Sequence, residues 1–278
     1  MTDLRPRSWA RLLLGYGLAI ATLAFTARSL NSGLSQVNAA PIALEPMALI
    51  ACALLMACHT LLNREGFVAL CEALDSGLPP ATTRRIWGRS LLAKYVPGGI
   101  WQLVGRGLQM RQLGSLHNSA VYSGILEQAL SMLLCLTIAV SAHLLLSRYH
   151  ALGIATILLP VLTVWLVARL TAWVKQPAAL RRAAILYAAA MPFYLAAYAC
   201  VVRQLPLLEL CAYLFTGTFA GMLAFLVPGG LGVRESVISL LAANTHISLL
   251  TAMMVVRLIT IGIEVLITVA GLAARRKP

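Results

Sequence analysis

Leu92-Ala93-Lys94-Tyr95-Val96-Pro97-Gly98-Gly99-Ile100 and Leu223-Ala224-Phe225-Leu226-Val227-Pro228-Gly229-Gly230-Leu231 agree at six of nine positions, 131 residues apart in a chain of 278. Proline lacks an N–H and pushes the residue before it away from helical geometry, and two glycines let the chain reverse. Each stretch lies in an apolar segment, so each reads as a helix broken inside a membrane, where bare backbone must face protein or a water-filled cavity. A half-helix restarting at Gly99 or Gly230 aims unpaired N–H groups inward, an end that favours an anion such as phosphate.

Composition supports the membrane setting. Hydrophobic residues make up 60% of the chain and charged residues 11%, against about a quarter charged in soluble domains; mean hydropathy is +0.85. Long unbroken apolar runs argue against an outer-membrane barrel, whose strands alternate apolar and polar residues. The expectation is an all-α polytopic membrane protein. Six stretches are long enough to cross, approximately Leu12–Ala27, Met47–Leu62, Asn118–Leu146, Ala151–Val174, Ala183–Val202 and Ile247–Ala274. The first mimics a signal peptide, with Arg5, Arg7 and Arg11 ahead of it, and is read as a retained helix because further spans follow.

The basic residues set the orientation. Arg5, Arg7, Arg11, Arg64, Arg84, Arg85, Arg89, Arg106, Arg111, Lys175, Arg181, Arg182, Arg275, Arg276 and Lys277 share one side if the two broken segments are re-entrant. The other side receives Arg28, Arg148, Arg203 and Arg234. By the positive-inside rule both termini are cytoplasmic. Net charge +13 is therefore a topology signal, and no basic face with interleaved aromatics points to nucleic acid. The 131-residue offset lays spans one to three on spans four to six, so 1–146 and 147–278 form two halves of a single transmembrane domain. Three crossings is an odd number, which turns the second half upside down: an inverted repeat whose paired broken helices meet near the midplane.

Lys94-Tyr95-Val96-Pro97-Gly98-Gly99-Ile100-Trp101 with Gly105-Arg106, and later Pro228-Gly229-Gly230-Leu231-Gly232-Val233-Arg234-Glu235, resemble the two signature segments of the flippase-like transmembrane domain of lysylphosphatidylglycerol synthases. That domain also occurs as stand-alone bacterial and archaeal membrane proteins. The resemblance covers most of the chain and implies movement of an anionic phospholipid or a polyprenyl-linked (glyco)lipid between leaflets, in the bacterial cytoplasmic (inner) membrane. It touches only the membrane part of the bifunctional members, which implies no aminoacyl transfer.

Three ionisable residues fall deep in predicted spans: Glu127, Arg257 and Glu264. Each costs about 2.5 to 3.5 kcal/mol at a helix centre, so each needs a partner or a cavity. Arg257 and Glu264 are two turns apart on one helix face, and Ser123, Glu127 and Ser131 form a polar stripe. One reading is a groove for a head group; the other is a Glu–Arg bridge locking the halves. For an anionic head group, Arg106 and Arg234 become phosphate partners at opposite mouths, beside Lys94, Gly98, Gly99, Gly229, Gly230 and Glu235. Glu235 pairs Arg234 or caps the helix after it. Tyr194 and Tyr198 line the groove or simply pack, and Arg169 snorkels from the end of span four.

Several chemistries leave no trace. There is no GxxxxGK[ST] for ATP, no HExxH, and the five histidines are scattered without ligand spacing. The six cysteines lack CxxC spacing and read as packing residues. No cofactor, metal or catalytic residue is expected. Two other functions fit the same residues: an enzyme acting on a lipid phosphate through Glu127 and Glu264, and a non-catalytic subunit of a glycolipid assembly system. A second copy of the chain or enzymes of lipid biosynthesis are the protein partners this class admits.

Overall fold

The computed structural model describes residues 45–96, 101–156, 158–159, 162, 165, 169, 174–203, 205–224, 227–230, 232–242 and 247–273. The described residues are helical, with no strand among them. In chain order the helices are α1 (Pro46–Ala73), α2 (Pro80–Ser90), α3 (Trp101–Gln112), α4 (His117–Leu146), α5 (His150–Thr156), α6 (Pro177–Val201), α7 (Leu207–Leu223), α8 (Val233–Leu241) and α9 (Ile247–Ala273). A 3-10 turn, Leu91–Tyr95, extends α2, and another, Pro228–Gly230, separates α7 from α8.

Four of these helices, α1, α4, α6 and α9, are long and apolar enough to cross a membrane. They correspond to the second, third, fifth and sixth predicted spans. The first, Leu12–Ala27, lies outside the described residues, and so does half of the fourth, with α5 at its start. α1 runs eleven residues past Leu62, and α6 begins six before Ala183. A hydropathy window stops at Asn63-Arg64-Glu65 or Arg181-Arg182, whereas backbone hydrogen bonding continues through them. Large apolar side chains are exposed on the outer faces, among them Ile50 and Leu54 of α1 and Leu266, Val269 and Leu272 of α9. A multi-pass membrane protein buries these in lipid.

The first predicted interruption falls between two short helices, and the second is followed by one. α2, α3 and α8, of 11, 12 and 9 residues, are about 14 to 18 Å long at 1.5 Å per residue, too short alone for a hydrocarbon core of about 30 Å. The second break is explicit: Gly229, Gly230 and Gly232 have φ of 55°, 64° and 84°, a region that favours glycine. A side chain at Gly230 would meet the Gly221 carbonyl oxygen at 2.8 Å. Residues 97–100 of the first break, Gly98 and Gly99 included, lie outside the described residues.

α1 and α6 start 131 residues apart, each with proline in its first turn, where the missing N–H costs nothing. They pack antiparallel along their length. At one end the backbone N–H groups of Lys175 and Gln176 donate to Ala73 O at 2.8 and 3.1 Å, and Arg182 pairs with Glu72. At the other, Arg203 pairs with Glu45 at 3.0 Å, whose hydrogen bonds raise the Arg203 guanidinium above its ordinary pKa. Midway, His59 Nδ1 donates to Ala190 O at 2.9 Å, again 131 residues away. Around this pair the packing is reciprocal: α2 lies on α9 and α7 lies on α4. Arg89 Nε donates to Gly271 O and Thr268 Oγ1 to Gly88 O, both at 3.0 Å, and His143 bonds Thr216 at 3.0 Å.

The main core joins Met56 and Leu70 of α1, Tyr187 and Tyr198 of α6, Phe215 of α7 and Val256 of α9. A smaller cluster gathers Phe67, Trp87, Met110 and Ala120. Small residues let backbones approach, a common device among membrane helices. A Cβ at Gly217 of α7 would lie 2.6 Å from Ile238 Cγ1 and 2.9 Å from Arg234 O of α8. Gly217→Val should therefore destabilise the fold by about 1 to 3 kcal/mol through overpacking. Thermal unfolding in detergent, compared with the exposed control Leu240→Ala, measures this; an unchanged midpoint would refute the α7–α8 contact.

Candidate functional site

A cavity of about 590 Å3 opens between the helices, bordered by residues before and after the chain midpoint. α1 contributes His59, Thr60 and Asn63, the α2 turn Lys94 and Tyr95, and α4 Glu127, Gln128 and Ser131. From the other side come Tyr187, Tyr194 and Tyr198 of α6, Thr218 of α7, Gly229 and Gly230 of the break, Arg234 of α8, and Arg257, Thr260 and Glu264 of α9. Hydroxyls, amides, aromatic rings and charges therefore share one enclosure inside an apolar bundle.

Three ion pairs organise its walls. Arg106 pairs with Glu127, its Nε donating to Ser90 Oγ at 3.0 Å. Trp87 Nε1 donates to the same carboxylate at 2.9 Å, and the Arg106 guanidinium lies 4.3 Å from the Phe67 ring centroid. Lys94 Nζ meets Glu264 Oε1 at 2.5 Å while Tyr95 OH donates to Oε2 at 2.9 Å. Arg257 Nη1 donates to Glu235 Oε1 at 2.9 Å and Nη2 to the Gly229 carbonyl.

α9 thus ties down both broken segments. Glu264 holds the residues just before Pro97, and Arg257 holds the Pro228–Gly230 turn and the start of α8. Sequence spacing put Arg257 and Glu264 on one helix face; the structure has each reach to a different partner across the bundle. The ring of Tyr95 also packs where a Gly229 side chain would stand, 3.0 Å from the ideal Cβ position, so the two segments meet directly.

Arg106 departs from the expected place at a mouth. It is 1% exposed and does not border the cavity; its helix directs it into the protein, behind Glu127. Glu235, expected to pair Arg234 or to cap the helix after it, takes the cap. Its Oε2 accepts from the Gly232 backbone N–H at 2.9 Å while Oε1 takes Arg257, so it caps α8 and is 5% exposed. The helix start expected to receive phosphate already holds the protein's own carboxylate. Gly230 N–H likewise donates to Val227 O at 3.1 Å.

Arg234 is arranged differently from the other interior cations. It donates to the Tyr198 hydroxyl, and its guanidinium lies 5.5 and 5.1 Å from the ring centroids of Tyr194 and Tyr198. Its Nε is buried without a hydrogen-bond partner. Tyr194 bonds Thr218 at 3.1 Å and stacks at 4.9 Å from His59. The two tyrosines therefore both line the cavity and pack, four residues apart on one face of α6.

Sequence reasoning passed over His59, Trp87, Tyr95 and Tyr187. His59 carried the same signal as Glu127, an ionisable group inside an apolar span, and Tyr95 sat within the motif. Trp87 and Tyr187 had no signal beyond aromaticity. Among the described residues no three His, Cys, Asp or Glu side chains gather as a metal site, and the six cysteines are free thiols. Comparison of the chain with protein-family models, with characterised proteins and with solved structures returns no match.

Proposed function

We propose that this chain is a lipid flippase of the flippase-like family found in lysylphosphatidylglycerol synthases, an inverted repeat that moves an anionic lipid between the leaflets of a bacterial cytoplasmic membrane. The observation that carries the reading is the cavity: a charged, hydroxyl-rich enclosure bordered by the second broken segment and the approach to the first, within helices whose outer faces are apolar. A head group needs such a polar route, and its acyl tails need lipid outside it. The antiparallel pairing of α1 with α6, whose starts lie 131 residues apart and which touch midway through His59 and Ala190, also 131 apart, and the reciprocal packing of α2 on α9 and α7 on α4, support the repeat. In such a plan the two halves rock about a fixed site, so that it opens to one leaflet and then the other. Six crossings, two re-entrant segments and cytoplasmic termini complete the proposed topology.

Arg234 is the residue assigned to the head-group phosphate, since its buried Nε lacks a hydrogen-bond partner. Purified protein in liposomes should expose inner-leaflet fluorescent phosphatidylglycerol to an external membrane-impermeant quencher, and Arg234→Ala should abolish this while the melting temperature is kept. No translocation by the intact protein would overturn the flippase reading. A chemically altered lipid in the mass spectrum would replace it with the enzyme.

A further inference from the structure

We infer that the cavity selects a head group carrying one negative charge, a phosphodiester, against a diphosphate carrying two or more. The inference rests on the lipid-transport reading and sharpens its substrate. In and directly behind the cavity wall, four cations meet three carboxylates: Arg106 with Glu127, Lys94 with Glu264 and Arg257 with Glu235, leaving Arg234. No other described carboxylate borders the cavity. His59 adds no charge, because its Nδ1 donates to Ala190 O and its Nε2 accepts from Asn63; only a neutral imidazole does both.

The formal charge of the enclosure is therefore one positive unit, held on Arg234. An uncompensated charge in a low-dielectric interior is costly, and a counter-charge of equal size relieves the cost. A phosphodiester brings the enclosure to neutrality. A diphosphate leaves at least one negative charge unmatched, with no free cation among the described residues of the enclosure to take it, because the remaining basic groups there already hold carboxylates. The tyrosine faces favour the same outcome. They accept the planar guanidinium and present no positive group toward a second phosphate.

Binding separates the possibilities. Protein in phosphatidylcholine nanodiscs would be titrated with phosphatidylglycerol and with undecaprenyl diphosphate, and bound lipid measured by native mass spectrometry. Phosphatidylglycerol should bind about tenfold more tightly, and Arg234→Gln should weaken it by about 30-fold. Glu264→Gln leaves Lys94 uncompensated, so it should shift the preference about tenfold toward the diphosphate. This gain does not depend on a variant failing to fold. Equal or tighter binding of the diphosphate by the intact protein overturns the charge selection while leaving a lipid site. Binding of neither lipid overturns the flippase reading itself. Glycerophosphoglycerol, the same head group without tails, binding as tightly as the lipid would make the ligand a soluble anion and overturn the assignment.

Discussion

Glu127→Gln is expected to lower the stability of the folded protein by about 3 kcal/mol, because it strands the Arg106 cation in the interior. Arg106 is 1% exposed, and Glu127 is its one carboxylate partner among the described residues. Its Nη2 is already buried without a hydrogen-bond acceptor, so nothing nearby replaces the lost charge. The Phe67 and Trp87 rings, 4.3 and 5.8 Å from the guanidinium, are worth up to about 2 kcal/mol each in a desolvated setting, but they are present with and without Glu127 and do not replace its charge. Removing both charges in Arg106→Met/Glu127→Gln should recover most of the stability, since neutral isosteres avoid the desolvation cost of an ion pair. Thermal unfolding of the two single variants and the double variant measures the coupling. Additive losses would mean that the pair does not act as one unit, and would return Arg106 to the role of an anchor.

How that pair was hidden shows which parts of the site a sequence carries. Glu127 was conspicuous as an acid inside a 30-residue apolar helix, and its need for a partner followed from the membrane. The partner's identity did not. Arg106 sits 21 residues earlier on a short polar helix, where the positive-inside pattern also accounts for an arginine. Only the packing of α3 against α4 puts it behind Glu127.

The same limit explains Arg257 and Glu264. Two turns of helix place them on one face, but which elements cover that face depends on how the segments before Pro97 and after Pro228 fold back. Glu235 shows a local competition instead: a carboxylate three residues after Gly232 is in reach of that N–H, so it takes the position an incoming phosphate would need. The broken helix at Pro228–Gly230 was legible because proline and paired glycines act through the backbone itself. The four long helices were legible because an apolar run in lipid has few alternatives to a helix.

Arg257→Met is expected to have the larger combined effect, about 3 to 5 kcal/mol of stability together with loss of anion transport. The Arg257 and Glu235 side chains are 8% and 7% exposed, so the variant leaves a carboxylate buried with the Gly232 N–H as its remaining described donor. It also frees the Gly229 carbonyl, which Arg257 ties to α9, and the left-handed turn loses its tether. Electrostatically, the enclosure falls from one positive unit to none, so an anion no longer gains by entering. Two further variants separate these causes. Arg257→Lys keeps the charge but offers a compact donor in place of a fork, so it should retain transport and lose part of the stability. Arg257→Met/Glu235→Gln removes both charges while the amide oxygen still accepts from Gly232. It restores the single positive charge on Arg234, and with it transport of phosphatidylglycerol in proteoliposomes. If the double variant melts with the intact protein and yet stays inactive, Arg257 touches the lipid directly and does more than hold the break in place.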